Sequence, residues 1–275
     1  VKCLIIAAGK GSRLRQSGDS KPLIPILGVP LIERVIRSAL AAGADEFIVV
    51  IGYHGDRVGH FLKRLAERLA IEITLLVNDE WEKENGLSVL KAREILSEPF
   101  LLLMADHLFE PRRTRALITL KLANGEIALG VDEDTCNTLV DMEDVTRVKV
   151  EDGKIRDIGK GLTDFNGFDT GIFLCSPAIF GALEQSREVC GDTTLSGAVR
   201  ILAAEGLVKA ISTSGFWIDV DDSAAFKKAE KALLNLVRDK SNDGPVARHL
   251  NRPISLLFSR HLARLDITPN QISLF

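Results

Sequence analysis

The sequence predicts an α/β fold built on a mixed, mostly parallel sheet, and three observations carry that expectation. Short uninterrupted apolar runs, such as "CLIIA" at residues 3–7 and "FIVVI" at 47–51, read as strands buried on both faces. Up to about Asp132 such runs alternate with segments of helical apolar period. Beyond that the texture turns hairpin-like, which adds antiparallel pairing.

In order, strands are expected near 2–7, 46–51, 72–77, 100–105 and 126–131, with helices near 30–42, 56–69, 86–96 and 111–122. "VTRVKVEDGKIRDIGK" (145–160) reads as a hairpin about Asp152-Gly153, because Asp-Gly supplies the positive φ of a tight turn. A strand over 168–176, a helix over 194–205, strands within 208–218 and a helix over 223–238 follow. No element is assigned to 177–193.

At 275 residues with 46% hydrophobic and 27% charged residues, the composition is that of a globular protein. A net charge of −3 gives no reason to expect a nucleic-acid partner. Cys3, Cys136, Cys175 and Cys190 lack zinc or disulfide-framework spacing, so reduced thiols in a cytosolic setting are expected. No leader peptide is expected before the first strand. No apolar run reaches the ~18 residues of a membrane span.

The first strand stops at "AAGKGSR", residues 7–13. Gly9 and Gly11 let the backbone turn tightly and approach a ligand, and successive N–H groups in such a turn favour an anion. Arg13 adds a planar fork suited to phosphate oxygens. The P-loop spacing is absent, and Leu14 stands where the dinucleotide fingerprint needs its third glycine. A polar stretch, Gln16–Ser20, leads to Lys21-Pro22, as if a flap carried a lysine at its far end.

The string "LIIAAGKGSRL…KPLIPILGVPLI" resembles the nucleotidyltransferases that make nucleotide sugars and related diphosphates, with the pattern A-x-G-x-G-[ST]-R-[LM]…K-P. The resemblance covers about residues 2–238 and implies a Rossmann-like three-layer nucleotidyltransferase fold. It implies that Ala7, Ala8, Gly9, Gly11, Ser12, Arg13 and Lys21 meet the donor nucleotide. The chemistry joins a phosphate oxygen to the α-phosphorus of an NTP, so the protein must align two polyanions and stabilise growing charge. A hard cation with oxygen ligands suits that task, and Mg²⁺ is the expected cofactor.

Two aspartates fit the family's metal positions. Asp106 ends the apolar run "FLLLMAD", at the sheet edge where open α/β folds bind ligands. Asp219, in "GFWIDVDDSAAF", fits the second position better than Asp221 or Asp222, which read as helix-capping acids. "NDEWEKENGLSVLKA" (78–92) is similar to the stretch whose polar side chains meet base and ribose in cytidylyl- and choline-phosphate-type relatives, which implies Asn78, Asn85 and Ser88 as candidates, with the Gly86 amide near the nucleotide. Plain capping by Asn85 is the alternative reading. His107 reads equally as a hydrogen-bonding neighbour of Asp106 or as a participant. On the acceptor side, the resemblance points to Lys160 for the phosphate, while Asp132, at the end of its strand, and Asp169, in "GFDTG" (167–171), are candidates for acceptor hydroxyls.

"KSNDG" (240–244) breaks the pattern as a linker would, giving a domain over 1–238, a linker over 239–244 and a tail over 245–275. No Asp or Glu occurs from Pro245 to Leu265, and Arg248, Arg252, Arg260 and Arg264 lie on one i+4 row beside apolar residues. Such basic amphipathic segments often lie on anionic membrane surfaces, and a helix packed on the body with solvated arginines is the alternative reading. "TPNQIS" resembles the entry to the first span of CDP-alcohol phosphotransferases, so a membrane domain is expected to follow. That domain could also supply a dimer contact.

A fusion of that order is known in the family that joins a CTP:inositol-1-phosphate cytidylyltransferase to di-myo-inositol-phosphate-phosphate synthase. The expected reaction is therefore CTP with L-myo-inositol-1-phosphate, at the cytoplasmic face of a membrane. Another sugar-1-phosphate or choline-phosphate nucleotidyltransferase, or a non-catalytic nucleotide-binding module, is the alternative.

Overall fold

A computed structural model describes residues 1–11, 13–14 and 20–238. Ser12, most of the polar flap (residues 15–19), the linker and the tail lie outside the described residues.

Strand β1 (Lys2–Ala7) sits inside a nine-stranded sheet. Alternate side chains explain why its apolar run is unbroken. Cys3, Ile5 and Ala7 enter the core on one face, while Leu4 enters the core on the other. β4 (Glu46–Ile51), β5 (Glu72–Val77) and β6 (Phe100–Met104) extend the parallel part. β8 (Ile127–Asp132), β9 (Arg147–Glu151), β10 (Lys154–Gly159), β11 (Gly167–Cys175) and β12 (Val208–Ser212) complete the order β5-β4-β1-β6-β11-β8-β12-β10-β9. Only β10 and β11 run against the rest, so the sheet is mixed and mostly parallel. The hairpin of β9 and β10 turns at Asp152-Gly153, both with positive φ.

Helices α1 (Leu31–Ala42), α2 (Gly55–Leu69) and α4 (Pro111–Ile118) put Val35, Val58, Leu62 and Leu117 against one face. α3 (Gly86–Leu90), α5 (Ala178–Cys190) and α6 (Leu195–Ala204) put Val89, Leu183 and Val199 against the other. The result is three layers.

Two helices end sooner than the sequence suggests. Beyond Leu90 and beyond Ile118 the chain closes mainly i→i+3 bonds, such as Arg93 N–H to the Leu90 carbonyl and Leu120 N–H to that of Leu117. α5 occupies the stretch left unassigned.

Two minor ribbons matter for function. β2 (Pro25–Ile26) pairs with β3 (Val29–Pro30) ahead of α1. β7 (His107–Phe109) pairs with β13 (Trp217–Asp219), immediately before α7 (Ser223–Arg238).

Candidate active site

The opening loop is fixed by a lysine beneath it. Gly11 has φ +60°, and a Cβ there would lie 2.4 Å from the Cβ of Lys21, so glycine is required twice over. Lys21 begins a short 3-10 turn (Lys21–Leu23) and is almost fully buried. Its ammonium donates to Asp106 Oδ2 at 2.5 Å and also to Asp221. Burial works against the charge, but Asp106, Asp219 and Asp221 overcome it and hold the group protonated above its ordinary range.

Arg13 lies 2.7 Å from Asp144 Oδ2 and 2.9 Å from Asp221 Oδ2, and Lys160 lies 2.5 Å from Asp144 Oδ1. Alternating charges therefore run Asp106–Lys21–Asp221–Arg13–Asp144–Lys160. This corrects the capping role expected of Asp221. Asp222 alone caps α7, accepting the Ala225 N–H at 2.7 Å, whereas Asp221 turns toward the cations. The sequence held a signal: Asp219 and Asp221 flank the buried Val220, so an extended backbone puts both on one side.

The ribbon of β7 and β13 brings the expected metal carboxylates together. Asp219 stands opposite His107, and the Val220 N–H donates to the Asp106 carbonyl at 3.1 Å. His107 Nδ1 is 2.9 Å from Asp106 Oδ1 and 3.8 Å from Asp219 Oδ1. Burial opposes the imidazolium, yet Asp219, Asp106 and Asp169 lift it to about 9. Burial also opposes ionisation of Asp106, but Lys21 and His107 hold it well below the usual carboxylate range. Asp219 goes the other way: burial first, then the neighbouring Asp106 and Asp221, push it to about 7 despite His107 and Lys21. Asp169, raised by burial to about 6, accepts the Gly171 N–H at 2.7 Å. Gly171 has φ +71°, and a Cβ there would touch the His107 ring at 2.6 Å.

The donor set fits a divalent cation. Asp106, His107 and Asp219 each offer an atom within 4.8 Å of the others, and Asp219 Oδ1 is buried with no hydrogen-bond partner among the described residues. Hard Mg²⁺ prefers oxygen, so Asp106 and Asp219 suit it, with His107 orienting Asp106.

A cavity of about 550 Å³ opens beside these groups, and a smaller one of about 280 Å³ adjoins it. Ala8, Gly9, Asn85 and Ser88 line the larger cavity, as do Asp144, Lys160 and Asp169. The smaller is lined by Ala7, Gly9, Gly11, Arg13, Lys21 and Asp106 among others.

Four expected residues have other work. Asn78 is buried outside the lining and donates to Ser88 Oγ at 3.0 Å, so it supports Ser88. Asn85 does not cap its own helix; its Oδ1 accepts the Leu195 N–H at 2.9 Å. The Gly86 N–H goes to the Thr193 carbonyl at 3.0 Å, and a Cβ would meet that oxygen at 2.4 Å. Gly86 therefore serves packing, and its amide is not directed at a nucleotide. Asp132 is buried, accepting from Trp217 Nε1 at 2.5 Å and Asn137 Nδ2 at 2.8 Å, with Arg113 3.6 Å away. Internal partners thus occupy the carboxylate expected to hold acceptor hydroxyls.

A three-layer fold whose first strand ends on a glycine turn, with paired carboxylates and a buried lysine at the sheet's mouth, has the form of a nucleotidyltransferase. Residues 3–198 match the MobA-like NTP transferase domain, and the chain belongs to that family. It is 36% identical over 280 residues to the "Bifunctional IPC transferase and DIPP synthase" of Rubrobacter xylanophilus, covering 100% of this chain and 61% of that protein. It is 32% identical over 274 residues to the protein of that name from Archaeoglobus fulgidus, covering 100% and 52%. The chain thus spans little more than half the length of these relatives. It is also 30% identical over 252 residues to mannose-1-phosphate guanylyltransferase 1 of Arabidopsis thaliana, covering 88% and 67%. The inositol-1-phosphate CTP transferase from T. maritima shares the fold, with TM-score 0.76 and 24% identity over 87% of this chain and 96% of that one.

Proposed function

We propose that this domain transfers a cytidylyl group from CTP to L-myo-inositol-1-phosphate, giving CDP-inositol and pyrophosphate. The observation that carries the reading is similarity along the whole chain to proteins named as IPC transferases.

An oxygen of the acceptor phosphate attacks the α-phosphorus of CTP. The bond from that phosphorus to the bridging oxygen breaks, and pyrophosphate leaves with the electron pair. Lys21 and Arg13 exchange Asp221 and Asp144 for phosphate oxygens, so charges already ion-paired and oriented meet the growing negative charge. Lys160, at the other end of the ion-pair chain, faces the acceptor phosphate. Asp106 and Asp219 would hold Mg²⁺, which neutralises phosphate charge. Asp169, Asp144 and neighbouring polar groups of the larger cavity accept hydrogen bonds from the ring hydroxyls.

The tail, outside the described residues, completes the reading. Residues 245–265 lie on the cytoplasmic face of a membrane, where CDP-inositol passes to a CDP-alcohol-consuming enzyme; among the described residues no helix is long and apolar enough to cross a bilayer. Each arginine contributes roughly 1 kcal/mol of attraction to an anionic surface.

A pyrophosphate-release screen of the four NTPs against inositol-1-phosphate, mannose-1-phosphate, glucose-1-phosphate and phosphocholine tests the activity. CTP with inositol-1-phosphate should exceed every other pair; preference for another acceptor or no release at all overturns it. Vesicles containing anionic lipid should bind the 275-residue chain salt-sensitively and release it when residues 243–275 are removed.

A further inference from the structure

We propose that Lys10 is a movable third cation of the donor site, parked on two aromatic rings until a triphosphate arrives. The proposal rests on the nucleotidyltransferase reading above and adds a residue to it.

Lys10 Nζ lies 5.3 Å from the ring centre of Tyr53 and 5.9 Å from that of Trp81. Among the described residues no carboxylate pairs with it, although Arg13, Lys21 and Lys160 are all held by acids. Its place in the chain is between Gly9 and Gly11, the two glycines of the phosphate-binding turn. Among the described residues a Cβ on Gly9 would meet nothing within 4 Å, so none of them fills the space on that side of the turn.

The resting place is built into the fold. The Tyr53 N–H donates to the Ala8 carbonyl at 2.9 Å, tying the aromatic residue to the start of the turn. At Gly52 a Cβ would stand 2.5 Å from Trp81 Cβ and 2.8 Å from the Ala8 carbonyl, so glycine alone lets Trp81 pack this close. The two rings lie 5.0 Å apart, and Trp81 borders the larger cavity together with Gly9 and Asn85. A cation resting on these rings is therefore already at the cavity's margin.

The physical chemistry favours transfer. A cation over half-exposed rings is weakly held, whereas a charge-assisted bond to phosphate is among the stronger polar contacts. Lys21 and Arg13 must each release a carboxylate before they bind phosphate. Lys10 releases only ring contacts, so it captures the donor first.

Fluorine NMR of protein carrying 5-fluorotryptophan tests the movement, with the Trp81 resonance assigned by Trp81→Phe. Inorganic tripolyphosphate with Mg²⁺ is the discriminating probe, since it has no base to stack on Trp81. It should shift the Trp81 resonance as it saturates the site. Lys10→Met should bind tripolyphosphate and CTP at least fivefold more weakly and show no such shift, and Lys10→Arg should restore the affinity. Equal affinity in wild type and Lys10→Met, or an unmoved Trp81 resonance in wild type, overturns the proposal while leaving the transferase reading intact. Failure of the wild-type chain to bind CTP would overturn both.

Discussion

Lys21 is the residue on which most of the site converges. It fills the space left by the missing Gly11 side chain, and it is shared by Asp106 and Asp221. Removing one preorganised contact to developing charge typically costs ~10²–10³ in rate. Lys21→Ala should therefore lower kcat by about that factor while the far-ultraviolet spectrum stays unchanged; near-normal turnover would remove Lys21 from the chemistry. Asp219 gives a pH signature. The proposed metal binding takes its ionised form, and its carboxyl is raised to about 7. Mg²⁺ affinity should thus weaken about tenfold per unit as pH falls below that value. Calorimetric titrations at several pH values should show this in wild type and not in Asp219→Asn. At this scale the convergence of Arg13, Lys21, Asp106 and Asp219 was readable where a motif fixed both residue and spacing. Asp221 was hidden because a carboxylate beside a helix start is ordinarily a cap, and only the partner 200 positions away decides otherwise.

Among elements, the ribbon of β7 and β13 does what no single motif does. It joins residues more than 100 positions apart in register, so that His107 faces Asp219. Three-residue strands have too little alternation to be read from a sequence, which is why the ribbon was missed while the long strands β1 and β4 were not. α5 did carry a pattern, with Ile179, Ala182, Leu183 and Ser186 buried at helical spacing, but its entry follows β11 almost without a loop. The ribbon's far end is clamped by Arg113, which is buried and donates to the carbonyls of Gly215 and Thr213 and to Thr213 Oγ1. Arg113 also faces Asp132 at 3.6 Å, and cutting one partner from such a buried pair costs about 3–5 kcal/mol. Arg113→Met should lower unfolding free energy by that amount in urea titrations, and a loss under 1 kcal/mol would show the clamp to be dispensable. Asp132→Asn should likewise act on stability and leave the acceptor KM near wild type; a large rise in KM would return Asp132 to the acceptor site.

For the whole molecule, the three-layer architecture followed from alternating strands and helices, and the site from where the strands end. The charges gathered there leave a trace in global stability. His107 is raised from 6.5 to about 9, so its contribution is complete below 6.5 and is lost as pH rises through 9. Asp219 and Asp169 are raised from 3.8 to about 7 and about 6, so ionising them as pH rises also costs the folded state. Asp106 and Asp144 are shifted downward, and their contribution is lost only in strong acid. All three raised groups act in one direction, so the metal-free domain should lose stability steadily between about pH 5 and 9. Added Mg²⁺ should flatten that slope at its upper end by binding the ionised carboxylates. A metal-free stability that rises over this range in denaturant titrations would contradict the arrangement of charges described here.

The most direct measurement of the central claim is phosphorus NMR of the domain incubated with CTP, inositol-1-phosphate and Mg²⁺. The CTP β-phosphate signal should be lost while a free pyrophosphate signal and a pair of coupled diphosphate resonances from CDP-inositol grow, all slowed at least a hundredfold in Lys21→Ala. Persistence of the CTP and inositol-1-phosphate signals in the presence of wild-type protein would contradict that claim. So would release of inorganic phosphate in place of pyrophosphate.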